Sequence, residues 1–84
     1  MADYIEGKRP VIEAFRAQVP LKRILMGDYI KRDPLINDIM RKAKRDDVPV
    51  CMVSRDELDG KSDHGSHQGV MAETNPFPYV GIGE

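Results

Sequence analysis

Residues 34–53, PLINDIMRKAKRDDVPVCMV, set two local patterns back to back. In the first, Leu35, Ile36, Ile39, Met40 and Ala43 recur at helical spacing, with Arg41, Lys42, Lys44 and Arg45 filling much of the rest. Pro34 suits the opening turn of such a helix, where its missing N–H would have had no intrahelical partner. In the second, Val48-Pro49-Val50-Cys51-Met52-Val53 is a short apolar run, the pattern of a strand covered on both faces. A helix feeding directly into a buried strand points to an α/β layered domain.

The alternation extends both ways. Upstream, Lys22-Arg23-Ile24-Leu25-Met26-Gly27 is a buried strand pattern entered by two cations and closed by glycine. Before it, Val11, Ile12, Phe15 and Val19 predict a helix over 10–18, stopped by Pro20, and Asp3-Tyr4-Ile5-Glu6 predicts a short edge strand. Downstream, Ser54 stands three residues before Glu57, the spacing of a capping box, and opens a helical turn through Leu58. Residues 59–69 are polar and contain glycines, and Val70-Met71-Ala72-Glu73-Thr74 predicts a last strand. The tail carries Pro76, Pro78, Gly81 and Gly83 and reads as a linker. The expectation is an α/β fold, three layers α/β/α around a small, mostly parallel sheet, over 1–75, with a linker over 76–84.

The 84 residues, 40% of them hydrophobic, allow one domain and an economical core. No apolar run approaches the roughly 18 residues of a membrane-crossing helix, so no membrane partner is expected. The N-terminus lacks the basic and apolar regions of a secretory signal. The single cysteine, Cys51, has no internal partner and lies in an apolar stretch, which favours a small buried residue in a reducing compartment over a nucleophile. A cytoplasmic location is expected. Net charge is −1, but residues 1–45 carry eleven Lys/Arg against six Asp/Glu, and residues 46–84 carry two against eight. Such a dipolar chain can offer a basic face to phosphates, although a merely solvated surface explains the charge as well.

Two loops could carry chemistry. In Gly7-Lys8-Arg9-Pro10, a glycine and two cations precede a helix N-terminus, where free N–H groups and the helix dipole attract anions. A plain strand-to-helix turn would look the same. In Ser62-Asp63-His64-Gly65-Ser66-His67-Gln68-Gly69, donors and acceptors are dense among glycines. Asp63, His64 and His67 raise the question of a metal, but no further histidine completes a shell, and none is expected. Ser66 beside His67 hints at a nucleophile, but neighbouring side chains diverge and no orienting acid is evident. RNA contact suits this loop better: Gln68 can bond a base edge, His67 can stack or bond a ribose hydroxyl, and Gly69 allows close backbone approach. In a parallel α/β sheet, loops leaving the C-terminal strand ends gather on one edge. The first loop leaves the first strand on such an edge, and the second could reach it if it enters an antiparallel strand; the hypothesis is that the two loops meet there. The cluster Arg41, Lys42, Lys44, Arg45 reads as a solvated helix face, and Tyr4, Phe15, Tyr29, Phe77 and Tyr79 show no stacking pattern.

Taken together these stretches resemble a family. Ile5-Glu6-Gly7-Lys8-Arg9-Pro10-Val11-Ile12-Glu13-Ala14-Phe15 resembles the opening of the SpoU/TrmH-type RNA 2′-O-ribose methyltransferases. Val19 to Met26, Ala43-Lys44 leading to Val48-Pro49-Val50, Val53 to Asp59, His67 to Glu73, and Pro76-Phe77-Pro78-Tyr79 follow in the same order. The likeness covers about residues 4–79 and is closest to bacterial enzymes acting on a guanosine ribose in 23S ribosomal RNA. It implies the N-terminal substrate-binding domain, with a fold like that of ribosomal proteins that grip kinked RNA. It also implies a following catalytic domain, absent here, that uses S-adenosylmethionine and commonly dimerises. By resemblance, RNA contact falls to Gly7, Lys8, Arg9, His67, Gln68 and Gly69, with Lys22 as an addition; His64 and Ser66 match nothing in the family's pattern.

The reading is therefore a domain with no catalytic residues, no metal and no cofactor of its own, not an enzyme alone. It positions a large-subunit ribosomal-RNA stem-loop for methyl transfer by its own attached catalytic domain, in a parent that is a homodimer. One rival is a protein–protein module without RNA contact; another is a small hydrolase or metal protein built on Asp63, His64 and His67.

Overall fold

A computed structural model of the chain describes residues 4–62 and 67–75; Asp63, His64 and Ser66 of the polar loop, and the linker 76–84, lie outside the described residues. In chain order the elements are β1 (Tyr4–Glu6), α1 (Lys8–Arg16), β2 (Leu21–Gly27), α2 (Pro34–Arg45), β3 (Val50–Val53), α3 (Arg55–Lys61) and β4 (Val70–Thr74). The alternation expected from 34–53 is present throughout, and the class is α/β.

The helix ends have local causes. Helix α1 stops at Arg16, two residues short of the expected end, and Pro20 plays no part. Gln18 turns to φ 58, and the N–H groups of Gln18 and Val19 donate to the carbonyls of Phe15 and Ala14, at 3.1 and 3.0 Å. This is a Schellman-type stop with Gln18 in the left-handed position. Helix α2 ends the same way: Asp47 has φ 57, and the Val48 N–H donates to the Ala43 carbonyl at 2.8 Å. Asp33 caps the start of α2, its Oδ1 accepting from the Ile36 N–H at 2.8 Å. Ser54 Oγ accepts from the Glu57 N–H at 3.2 Å, so the anticipated cap of α3 forms, and that helix runs on through Gly60 to Lys61.

The sheet order is β1-β4-β2-β3. Strand β4 pairs antiparallel with both β1 and β2, at Ile5↔Ala72 and Ile24↔Ala72, while β2 and β3 pair in parallel, at Leu25↔Cys51. The expected mostly parallel sheet is corrected to a mixed one. Strands β1, β2 and β3 do run the same way, but the last strand enters the middle rather than an edge. It can do so because Val70, Met71 and Ala72 are all fully buried, as a central strand requires.

Two successive crossovers in one direction, through α1 and α2, put both helices on one face. There Val11, Ile12, Phe15, Ile36, Ile39 and Ala43 pack on Ile24, Met26, Val70 and Ala72. The strand residues between them, Leu25 and Met71, point to the other face, where Leu58 of α3 covers them. The layers are α/β/α, with most of the core under α1 and α2. No helix among the described residues is long and apolar enough to cross a membrane.

Candidate functional site

One edge of the sheet collects the C-terminal ends of β1, β2 and β3 and the start of β4. The first loop turns there because Gly7 adopts φ 100, which only glycine takes without strain, and its N–H donates to the Val70 carbonyl at 3.0 Å. Gly7 has no side chain with which to cap α1. The second loop supplies the missing acceptor: Gln68 Oε1 takes the Lys8 N–H at 2.9 Å. The two loops meet, as hypothesised.

His67-Gln68-Gly69-Val70 is a tight turn with positive φ at both central residues, 54 and 82, closed by the Val70 N–H on the His67 carbonyl at 2.9 Å. His67 holds it from below. Its Nδ1 accepts from the Gly69 N–H at 2.9 Å, which leaves the proton on Nε2 to donate to Asp59 Oδ1 at 2.7 Å. With both ring nitrogens engaged and the residue 8% exposed, His67 supports the turn rather than facing outward. Gly69 is packed so closely that a Cβ would collide with Ile30 Cγ2.

Lys8 reaches across to Asp33, with Nζ 2.5 Å from Oδ2, and ties the first loop to the start of α2. The hydrogen bond from Lys8, then that from the Ile36 N–H, hold the Asp33 carboxyl below its ordinary value. Arg9 is exposed and makes no ion pair among the described residues. Glu6, Gly7, Lys8, Arg9, Pro10, Leu35 and Gln68 line an open cleft of about 420 Å³ at this place. A larger open groove, about 780 Å³, lies at the far end of the molecule between Phe15, Leu21, Lys42 and Val48.

Lys22 does not join the edge. It lies five residues before Gly27 on β2, roughly 16 Å away at strand spacing, with Nζ 4.0 Å from Glu73 Oε2. Other residues do join it, among them Tyr29, which the sequence reading set aside as part of no stacking pattern. Tyr29, Lys31 and Arg32 follow β2, and Arg55 follows β3; all four are exposed, and the Arg55 guanidinium sits over the Tyr29 ring at 4.5 Å from its centroid. Their common signal is position, each in a loop or helix start just after an apolar strand. The basic cluster of α2 behaves as expected of a solvated face: Arg41 and Lys42 pair with Asp38, and Arg45 with Asp46. No group of three metal-ligating side chains occurs among the described residues.

Such an edge, with two glycine turns, an amide side chain and unpaired cations, suits an extended anionic ligand better than a small molecule. Comparisons with known proteins bear on this. Residues 4–80 match the family model described as RNA 2′-O ribose methyltransferase substrate binding. The chain is 36% identical over 76 residues to a protein assigned to the TrmH family of tRNA/rRNA methyltransferases in Staphylococcus saprophyticus, covering 90% of this chain and 30% of that one. A counterpart in Staphylococcus epidermidis is 35% identical over 80 residues, 95% of this chain and 31% of that one. A protein named as a tRNA/rRNA methyltransferase in Mycolicibacterium smegmatis is 29% identical over 78 residues, 93% and 25%. The chain thus spans between a quarter and a third of the length of these relatives.

Proposed function

The chain belongs to the RNA 2′-O ribose methyltransferase substrate-binding family, and from that premise we propose that its C-terminal sheet edge recruits and positions ribosomal RNA for methylation of a ribose hydroxyl. The observation that carries this reading is the bond from the Lys8 N–H to Gln68 Oε1, which makes one continuous surface of the first turn of α1 and a turn sixty residues away. On that surface Arg9 meets phosphate and Gln68 offers its amide to a base edge or ribose, while the buried Gly7 and Gly69 shape the turns that present them. Lys8 contributes charge from its anchored position, and His67 acts by holding the turn.

The chemistry falls to a catalytic domain beyond the linker 76–84, which supplies the methyl donor S-adenosylmethionine. This domain's part is binding. Tethered binding raises the effective concentration of the target ribose at the active site. Cytoplasmic location and a homodimeric parent belong to the same proposal. A protein–protein role finds less support: the large exposed hydrophobics among the described residues are Tyr29 and Met52, which make no broad apolar patch.

The test is a titration of the chain against large-subunit ribosomal-RNA stem-loops at two salt concentrations. Affinity should fall with salt, and Arg9→Ala should weaken binding to every RNA and reduce the slope of log K against log salt by about one. Lys22→Ala should behave as wild type. Absence of binding at low salt would move the protein–protein reading ahead.

A further inference from the structure

The Tyr29–Arg55 pair stands on the same edge as the two loops but is not used by them. It is assembled by the sheet. Parallel pairing of β2 with β3 sets Gly27 beside Val53, and the Asp28 N–H donates to the Val53 carbonyl at 2.8 Å. The loop after β2 and the start of α3 therefore emerge side by side. Gly27 makes the room: a Cβ there would collide with Cε1 of Tyr29, so the ring lies directly against the backbone. The Gly27 N–H donates to the Gly69 carbonyl at 2.8 Å, which places this platform next to the turn that carries Gln68.

An aromatic ring 39% exposed on a small domain needs a reason, and its neighbourhood excludes the usual one. Tyr29 is not the rim of an apolar patch: of its chain neighbours Ile30 is half-buried against the core, Asp28, Lys31 and Arg32 are exposed, and the group over its ring is a guanidinium without a carboxylate partner among the described residues. A planar cation seated over a ring, with loose cations beside it, offers a π surface and charge to a group that is itself planar and attached to phosphate. An unstacked nucleobase has that chemistry. A base inside a continuous duplex cannot present its face.

Resting on the RNA-binding reading above, we infer that Tyr29 and Arg55 form a stacking platform for one unpaired base, so that this edge selects looped over continuous double-stranded RNA. The geometry divides the labour. Across the order β1-β4-β2-β3 the ends of β1 and β3 are three strand spacings apart, roughly 14 Å. Phosphate is held at the Arg9 end and the base at the Tyr29 end, with Gln68 and Gly69 between them.

The experiment compares two probes, an RNA hairpin with 2-aminopurine in its loop and a fully paired RNA duplex of equal charge. Wild type should prefer the hairpin and quench the 2-aminopurine. Tyr29→Ala should lose about ten-fold in hairpin affinity, with duplex affinity and salt slope unchanged. Tyr29→Phe should keep wild-type binding. Arg55→Lys retains charge but loses the plane, and should also weaken the hairpin without changing the slope; it carries the test if Tyr29→Ala fails to fold. Hairpin affinity unchanged in both Tyr29→Ala and Arg55→Lys, while Arg9→Ala weakens it, overturns the platform and leaves the RNA reading standing. Failure of wild type to bind either RNA removes both.

Discussion

Gly69 and Gly60 are chemically alike and should respond in opposite ways to the same methyl group. At Gly69, φ is +82 and a Cβ runs into Ile30, so Gly69→Ala should cost more than about 1 kcal/mol and loosen the turn that presents Gln68. At Gly60, inside α3, nothing lies within 4 Å of an added Cβ, and Gly60→Ala should stabilise by roughly 0.5–1 kcal/mol. Urea midpoints of the two variants check both signs. The sequence reading assigned Gly69 to close approach by RNA; the structure shows instead that the close neighbour is Ile30, which a polar stretch before a strand does not reveal. His67 was read as an outward RNA contact, whereas the structure turns it inward. Its inward orientation depends on Asp59 and on the Gly69 N–H, and local spacing does not say which of these a ring will find.

Asp33 joins two elements, capping α2 through one oxygen and pairing with Lys8 of α1 through the other. Its carboxyl is held below the ordinary 3.8, chiefly by the Lys8 bond. A depressed folded-state value means that the ionised form stabilises the fold. That stabilisation is complete above about 3.8 and is lost as pH falls below it, through the folded value. Asp33→Asn keeps a capping oxygen but not the charge. Its melting temperature should lie below that of wild type at neutral pH and converge on it under acid conditions, whereas Asp33→Ala should stay below at both. Thermal melts across an acid pH series read this directly. The start of α2 was legible from Pro34, and the cap of α3 from Ser54 and Glu57, because caps are local. The end of α1 was not, since Pro20 was the conspicuous stop and the actual one is a left-handed Gln18.

Unequal layers shape the whole domain. Among the described residues, ten form the buried cluster between the sheet and α1 and α2, whereas Leu25, Leu58 and Met71 form the one between the sheet and α3. Leu58 is fully buried and anchors a seven-residue helix that cannot hold itself together. Leu58→Ala should therefore cost about 2–5 kcal/mol, a large part of a small domain's stability. Hydrogen exchange should show protection lost first in α3 and in the 67–69 turn, which Asp59 of that helix supports, while Ile24 and Ile39 stay protected.

Residue order along the chain was enough for the α/β class, for the buried strands β2 and β4 and for the glycine turn at Gly7, because hydrophobic period, caps and turns are short-range properties of neighbouring residues. Strand β3, read as covered on both faces, is instead a half-buried edge strand with Met52 exposed. It also sufficed for the family resemblance, which lies in ordered stretches. Three-dimensional packing settled the rest. It put β4 in the centre of the sheet, antiparallel to both neighbours, brought Gln68 to the Lys8 N–H, left Lys22 at the far end and set Arg55 over Tyr29. Each of these depends on which strands pair and in what register. Pairing is chosen by the burial of whole faces, a sum over distant residues that no local pattern contains.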